Sequence, residues 1–192
     1  MAILKIARMG NPVLNRRATE VGDPTAPEIA ALVADMIETM HDARGRGLAA
    51  PQVHVGKRVM VFRPPATDAE LDNDEEPAVL ALVNPEIEVL SDETEDGWEA
   101  CLSVPGMRGM VRRYTRVRYR GVTPEGEAIE REVDGFHARV FQHEFDHLDG
   151  VLYPMRMTDL SLLVFDSEID KLVAELDTDE DEIDAAAAAA EG

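Results

Sequence analysis

Two histidines four positions apart, His143 and His147, are the residues of this 192-residue chain that most clearly indicate chemistry. Positions i and i+4 lie on one face of an α-helix, so both imidazoles can point at a single cation. Glu144 is offset around the helix, which keeps its carboxylate off the metal but within reach of a water beside it. The spacing predicts a metal site with its own general base. The alternative is a pair of buried histidines bonded to backbone carbonyls.

A catalytic metal site needs a third protein ligand and a fourth position open to water. By residue type alone, Asp, Glu and the remaining histidines His41, His54 and His137 rank above cysteine in a metalloprotease. Cys101, however, lies in WEACLSVPG, a turn-rich stretch of small residues that could pass close to the helix. A thiolate is a strong ligand for zinc or ferrous iron. Cys101 is therefore a candidate ligand, and a cysteine packed as a small hydrophobic residue is the alternative.

A third stretch, GRGLAAPQ at residues 45–52, combines glycines with a neutral amide. Gly45 and Gly47 flank a position at which the backbone must approach another group closely. Gln52 offers N–H donors that do not titrate, which suits the stabilisation of an oxyanion. The stretch lacks the Lys-Ser/Thr of a P-loop and the G-x-G-x-x-G spacing, so it is not a nucleotide loop. Alone it is also compatible with a glycine that ends a helix.

The three stretches GRGLAAPQ, EACLS and QHEFDHLDG, in this order, resemble the signature motifs of peptide deformylases. These metallohydrolases remove the formyl group from the formylmethionine of nascent polypeptides, and the similarity extends over roughly residues 5 to 160. The family usually has glycine before the cysteine, whereas this chain has Ala100, whose methyl group could narrow the pocket or shift the Cys101 and Leu102 backbone. Arg46, between the two glycines, occupies a second variable position, where a smaller or apolar residue would be unremarkable.

The resemblance implies a role for the residues of the three motifs. Cys101, His143 and His147 would bind one divalent metal ion per chain, Fe²⁺ in the cell, with Zn²⁺ or Ni²⁺ as alternatives in a purified sample. Glu144 would act as general base and then as general acid. The other implied site residues are Gln52 and the backbone N–H of Leu102 for the oxyanion hole, and Gly47 and Glu99 for contact with the substrate.

An apolar pocket for the methionine side chain is expected on the motif helix. Phe136 and Val140 lie one turn apart and within two turns of His143, so they are candidate pocket residues, although both could equally belong to the core. Burial of a methionine side chain contributes about 1.5–3 kcal/mol, which favours long apolar first residues and little more.

The resemblance implies nascent N-formyl-Met peptides as the partners, and composition and charge argue against other classes of partner. The formal net charge of −20 repels phosphates, so DNA binding is not expected. No run approaches the roughly 18 apolar residues of a membrane span. The N-terminal residues lack the basic-then-apolar order and the cleavage site of a signal peptide. We therefore expect a cytoplasmic bacterial protein. The arginines between 108 and 120 are expected to form an ion-paired strand face, and weak contact with the ribosome is a second hypothesis.

Two other functions remain as hypotheses. A zinc peptidase shares the helix motif but cuts internal amide bonds, and it would take a downstream His or Glu as its third ligand. A deformylase relative that binds without catalysis is the other hypothesis, which Ala100 keeps open.

The order of elements predicts an α+β fold rather than a parallel doubly wound one, with antiparallel sheets packed around a central helix. Apolar residues at spacings of three and four predict a long N-terminal helix over 27–44, capped by Thr25 or Asp23 and ended by Gly45. The same period predicts that the motif helix is the central one and ends near Gly150. Apolar residues from Leu160 to Leu176 predict a C-terminal helix with a break near Asp166-Ser167.

The strands and the domain boundary follow from the remaining patterns. β-Branched runs at 58–62, 79–83 and 87–90 predict three strands, and 115–133 predicts a β-hairpin about a Thr-Pro-Glu-Gly turn. Residues 64–77 are acidic and bounded by prolines, as in a surface loop. We expect one catalytic domain over 1–176 and an acidic, alanine-rich, disordered tail over 177–192.

Overall fold

The computed structural model describes residues 2–65 and 78–175, which form two antiparallel sheets, with the N-terminal helix packed against one of them and the motif helix in contact with both. In chain order the main elements are α1 (Pro27–Asp42), β1 (Gly47–Ala49), β2 (Val59–Phe62), β3 (Leu80–Val89), β4 (Thr94–Cys101), β5 (Val104–Tyr114), β6 (Arg116–Val122), β7 (Ala128–Asp134), α2 (Gly135–Leu148) and β8 (Leu163–Phe165). The strand order is β1-β2-β3-β6-β7 in one sheet and β4-β5-β8 in the other. The predicted tail, and the predicted acidic loop apart from its first two residues, lie outside the described residues. Within those residues, no helix has the length and apolar character needed to cross a membrane.

The five-stranded sheet lies between the two long helices, and strand β2 shows why. All four of its residues are buried, and successive side chains of a strand point to opposite faces. Val59 and Val61 pack in one cluster with Met36 of α1, whereas Phe62 packs in another with Phe141 of α2. A strand that is apolar on both faces needs cover on both, so β2 places the motif helix and the N-terminal helix on opposite sides of the sheet.

Helix α1 confirms the predicted N-terminal helix, but its ends differ from those expected. The helix begins at Pro27 after Ala26, and Asp23 accepts hydrogen bonds from the backbone N–H and hydroxyl of Thr25, so both predicted caps belong to the preceding turn. At the other end Arg44, not Gly45, has the left-handed conformation, with φ of 54°. Gly45 serves another purpose, because a Cβ there would lie 2.8 Å from Cδ1 of Leu102.

Two of the predicted strands are one. The runs at 79–83 and 87–90 both fall in β3, whose pairing with β6 shifts register between Val83 and Glu86. Asn84 makes this bulge with a φ of 50°, and its side-chain amide bonds the backbone N–H and carbonyl of Val21 at 2.8 and 2.9 Å. The polar residues therefore mark a bulge inside a strand, whereas the sequence pattern suggested a loop between strands.

The stretch predicted to be turn-rich is instead a β-hairpin. Strand β4 pairs with β5 from Thr94 onward, and only Leu102 and Ser103 form the turn after Cys101. The acidic residues of β4 gave no apolar alternation, but Asp96 lies opposite Arg112 and forms an ion pair with it. Cross-strand charge pairs replace an apolar pattern here.

Helix α2 and the hairpin β6–β7 agree with the predictions, whereas the predicted C-terminal helix is present only after the predicted break near Asp166-Ser167. Gly150, with φ of 77°, follows the end of α2 as expected. Residues 160–165 form a 3-10 turn and strand β8, and helical residues appear only over 169–175. Leu163 of β8 packs on the cluster of Val111 and Tyr153, and β8 covers the edge of β5 that β4 leaves open. Pairing to that edge outweighs the helical spacing of the leucines.

Most of the arginines between 108 and 120 lie on exposed strand faces and contact carboxylates, which confirms the expected ion-paired face. Arg113 is the exception, because only 5% of its side chain is exposed. The exposed or half-buried ion pairs are Arg108–Asp166, Arg112–Asp96, Arg116–Glu132, Arg118–Glu88 and Arg120–Glu130.

Candidate metal centre

The side chains of Cys101, His143 and His147 meet at one point, where their ligand atoms lie within 4.8 Å of one another. Cys101 ends strand β4, and the two histidines lie on successive turns of α2. The Sγ atom of Cys101 is 3.3 Å from Nε2 of His147. Cys101 and His147 are buried, and only 11% of the His143 side chain is exposed. The structure thus brings together the three predicted ligands.

The thiol at this point is held in a form suited to binding a cation. Burial opposes ionisation of Cys101, but attraction from His147 and hydrogen bonds from both histidines outweigh it, so the pKa of the thiol lies well below its usual range. The pKa of His143 is raised in turn, because its bonds to Cys101 and Glu99 outweigh the effect of burial. The thiolate is the form of cysteine that binds metals.

Glu99 holds the His143 ring from behind. Its Oε2 atom lies 2.8 Å from Nδ1 of His143, and a carboxylate can only accept, so Nδ1 carries the proton and Nε2 is left for a cation. Burial alone would raise the pKa of Glu99, but hydrogen bonds from Arg113 and His143 outweigh burial and lower the pKa from 4.5 to about 2. Glu99 therefore stays ionised at neutral pH. The resemblance implied substrate contact for Glu99, whereas the structure places its carboxylate on the histidine and on two arginines.

Arg113 and Asp146 extend this network and were missed in the sequence. Arg113 donates two hydrogen bonds to Glu99, at 2.8 and 2.9 Å, and one to Asp146 at 2.6 Å. Asp146, one residue before His147, also accepts from Arg156. One signal could have found Asp146: it lies one residue before a predicted ligand on the helix predicted to be central, and a buried carboxylate needs a cationic partner. Arg113 gave no such signal, because it lies among arginines that are exposed.

Glu144 is the free carboxylate of the site. The residue is 5% exposed, and within the described part of the chain its Oε2 atom has no hydrogen-bond partner. Burial raises the pKa of Glu144 to about 7, against the opposing attraction of His143 and His147. The backbone of β1 passes directly over it, because a Cβ at Gly47 would lie only 2.6 Å from Cγ of Glu144. Only glycine fits at Gly47.

Gln52 and the turn after Cys101 line the other side of the thiol. The Oε1 atom of Gln52 accepts from the backbone N–H of Ala49 at 2.8 Å, which orients the amide. Its Nε2 atom donates to Oγ of Ser103 at 3.1 Å and lies 3.5 Å from Sγ of Cys101. Leu102 occupies the turn, where its side chain fills the space left by Gly45. Ser103 was not predicted as a site residue.

A cavity of about 630 Å³ opens onto these groups. Its floor includes Cys101, His143 and Glu144, and its wall includes Val140, which is 7% exposed. Phe136 also lines it, but 52% of that residue is exposed, so Phe136 lies at the rim. The other predicted site residues that line the cavity, together with Ala100, are Gly47, Gln52, Glu99 and Leu102. Ala100 is itself exposed.

Comparison with known proteins gives a consistent result along most of the chain. The family model described as polypeptide deformylase matches residues 3–162. Peptide deformylase 2 of Ralstonia nicotianae is 52% identical over 163 residues, which cover 85% of this chain and 92% of that protein. Peptide deformylase 1 of Bordetella pertussis is 53% identical over 156 residues, covering 81% of this chain and 88% of that protein.

Solved structures agree in fold. The Met-Ala-Ser-bound class I type b peptide deformylase of Acinetobacter baumannii superposes with a TM-score of 0.73 at 36% identity, over 81% of this chain and 99% of that one. Peptide deformylase of Thermotoga maritima gives a TM-score of 0.74 at 36% identity, over 83% of this chain and 100% of that one. The chain, with its mixed helices and antiparallel sheets, belongs to the polypeptide deformylase family.

Proposed function

We propose that this chain hydrolyses the N-formyl group of formylmethionyl peptides in the bacterial cytoplasm, with Glu144 as the group that moves the proton. The observation that carries the proposal is the buried Glu144 carboxylate, whose Oε2 atom lacks a partner among the described residues, beside the Cys101, His143 and His147 cluster. Family membership supports the reaction class. The catalytic domain in this proposal is residues 1–176.

The three ligand atoms fit one divalent metal ion. They lie within 4.8 Å of one another, the thiol ionises readily, and the bond from His143 to Glu99 leaves Nε2 of that ring for the ion. A set of one thiolate and two imidazoles suits Fe²⁺ or Zn²⁺, and we propose Fe²⁺ in the cell, with Zn²⁺ or Ni²⁺ replacing it in purified samples. When bound, the ion supplies Lewis acidity at the formyl oxygen and at the attacking water.

Glu144 carries the proton from the attacking water to the leaving nitrogen. A pKa of about 7 lets the carboxylate accept a proton and give it up again near neutral pH. Water adds to the formyl carbon as Glu144 takes its proton, and the C–N bond then breaks as Glu144 protonates the nitrogen. The products are formate and a free α-amine, so no other reactant is needed.

The oxyanion that forms on the formyl oxygen requires donors that are already in place. The amide of Gln52 is fixed by its bond from Ala49 N–H, and its Nε2 atom faces the thiol. We propose that Nε2 of Gln52 and the backbone N–H of Leu102 donate to the oxyanion, since both residues line the cavity beside Cys101. Loss of one such donor typically lowers turnover on the order of 10²- to 10³-fold.

The substrate contacts follow from the cavity walls. Val140 is buried in the wall and Phe136 lies at the rim, so we propose that both contact the methionine side chain, Val140 more deeply. Strand β1 is an edge of its sheet, which leaves the backbone at Gly47 able to pair with the peptide. We propose that Glu99 acts on the reaction through His143 and not by touching the substrate.

The other hypotheses find less support. In the described residues the third member of the cluster is Cys101 rather than a downstream histidine or glutamate, which disfavours a zinc peptidase. The six arginines between 108 and 120 all contact carboxylates, which neutralise their positive charge. That face therefore has little positive charge left with which to bind ribosomal RNA.

The experiment measures formate release from formyl-Met-Ala-Ser by the iron, nickel and zinc forms under reducing conditions. Glu144→Gln should abolish turnover and retain the metal, because the carboxylate lies outside the ligand cluster. Glu28→Gln, an exposed change on α1, is the matched control and should retain both. No release by any metal form, or near-normal turnover by Glu144→Gln, would refute the proposal.

A further inference from the structure

The cavity is lined by four arginines, although the protein as a whole carries a net charge of −20. Two of them are neutralised by the fold. Arg139 bonds Glu99 and three backbone carbonyls, and Arg108 forms an ion pair with Asp166 at 2.8 Å. The other two, Arg44 and Arg46, are exposed at the cavity mouth.

Neither Arg44 nor Arg46 has a carboxylate partner within the described ranges of the chain. The guanidinium of Arg46 instead lies over the ring of Phe136, 5.8 Å from its centroid, a contact that orients the cation without neutralising it. Of the carboxylates that line the cavity, Glu99 and Asp166 are already paired with arginines, and Glu144 lies on the floor. Among the residues that the structure describes, the mouth therefore carries two positive charges with no carboxylate against them.

The course of β1 places these charges where the substrate chain must leave. Gly47 lies against Glu144, and the Cα atom of Arg46 is only about 3.8 Å further along the backbone. In the other direction Leu48 and Ala49 are fully buried, so the site opens to solvent at the arginine end of the strand. A peptide with its formyl group at Glu144 and its methionine in the wall must carry its next residues past Arg46 and Arg44.

Guanidinium groups bind carboxylates through paired, charge-assisted hydrogen bonds. We infer that the cavity mouth selects formylmethionyl peptides that carry an acidic side chain at the second or third residue, with Arg46 and Arg44 as the specificity-determining residues. The inference rests on the proposed deformylase activity and adds the substrate class that the site prefers.

The test compares kcat/KM for formate release in two peptide series, formyl-Met-Xaa-Ser-amide and formyl-Met-Ala-Xaa-amide, with Glu, Gln or Lys at Xaa. The C-terminal amide removes a terminal carboxylate that the arginines would also attract. At low ionic strength the order should be Glu, then Gln, then Lys at one of the two positions, with roughly a three- to tenfold span for two exposed ion pairs. Added salt should compress the span.

Variants assign the preference to the mouth. Arg46→Gln should reduce the ratio of Glu to Lys rates, Arg46→Glu should invert it, and Arg46→Lys should keep most of it. Arg16→Gln is the matched control, since Arg16 is exposed and does not line the cavity, and it should leave the ratio unchanged.

The outcomes separate this inference from the function on which it rests. Equal rates for Glu, Gln and Lys peptides at both positions, or a ratio that survives Arg46→Glu, would overturn the inference and leave deformylation intact. No release from any peptide would overturn both.

Discussion

Replacement of Arg113 by Met tests whether the network behind the metal cluster holds the site together. Arg113 is 5% exposed and donates to both Glu99 and Asp146. Methionine fills a similar volume without the charge, so the substitution removes both ion pairs. Breaking a buried ion pair by removing one partner typically costs about 3–5 kcal/mol. Glu99 keeps its bonds to Arg139 and His143, and Asp146 keeps Arg156, which places the expected loss at the lower end, about 3 kcal/mol.

The pKa of Glu99 gives a second route to the same magnitude. A fall from 4.5 to about 2 corresponds to about 3 kcal/mol of preference for the ionised form in the folded protein. A carboxyl group whose folded pKa is depressed contributes stability that is present above its unfolded pKa and lost as the pH falls towards the folded value. The metal-free protein should therefore lose stability between about pH 4.5 and pH 2, and Arg113→Met should flatten this dependence.

Urea unfolding of the metal-free protein is the assay, because bound metal would add its own stabilisation. Arg112→Met is a matched control on the neighbouring residue of β5, since Arg112 is exposed and, among the carboxylates of the described residues, contacts Asp96 alone. It should cost at most about 1 kcal/mol. A loss for Arg113→Met no larger than that of Arg112→Met, at unchanged m-value, would refute the reasoning. Metal affinity should also fall by about 10- to 100-fold in Arg113→Met, since support of a metal-binding histidine is lost.

Two further changes test the backbone around the site. Gly47→Ala should lower kcat at least on the order of 10²-fold in the formate assay, because the added methyl displaces the Glu144 side chain; metal analysis should find the ion still bound, and near-normal kcat would contradict the close approach. Arg44→Gly should raise the free energy of unfolding by about 0.5–1 kcal/mol, because glycine adopts the left-handed conformation of Arg44 without strain. The same variant should lose part of the preference for acidic peptides, and a variant that is destabilised in urea would show that φ of 54° costs Arg44 nothing.

The parts of the site that sequence could predict are those in which local spacing fixes geometry. His143, Glu144 and His147 lie within five consecutive residues of one helix, so the period of 3.6 residues per turn dictates which side chains share a face. Helix α1 and the hairpin β6–β7 were predictable for the same reason, because their apolar residues repeat with the period of the element. The meeting of Cys101 with the histidines followed from no spacing, since no spacing relates residues on different elements; its surroundings made Cys101 a candidate, and the resemblance implied the contact.

The parts that sequence reasoning missed are held by charges that pair across long distances in the chain. The acidic residues of strand β4 show no apolar alternation, and the two arginines that pair opposite them, Arg112 and Arg113, are chemically identical in the sequence. Alternation along β5 turns one to solvent and the other into the core, so burial depends on which register the two strands adopt. The register in turn fixes the position of Cys101 at the end of β4. The pairing of β4 with β5 therefore places the third ligand of the metal centre.

The same register bears on two groups of charged residues, which are the buried network around Arg113 and the exposed arginines at the cavity mouth. Arg113, whose side chain is buried, pairs with Glu99 and keeps it ionised behind His143. The positive charge of Arg113 is therefore already used inside the protein. Arg44 and Arg46 lie outside this network, since, in the described part of the chain, Glu99 and Asp166 pair with other arginines and Glu144 lies on the cavity floor. The buried network around Arg113 contains neither Arg44 nor Arg46, so changing Arg113 should disturb the metal centre without altering the preference among peptides. A parallel shift of both in Arg113→Met would show instead that the mouth and the centre form one coupled system.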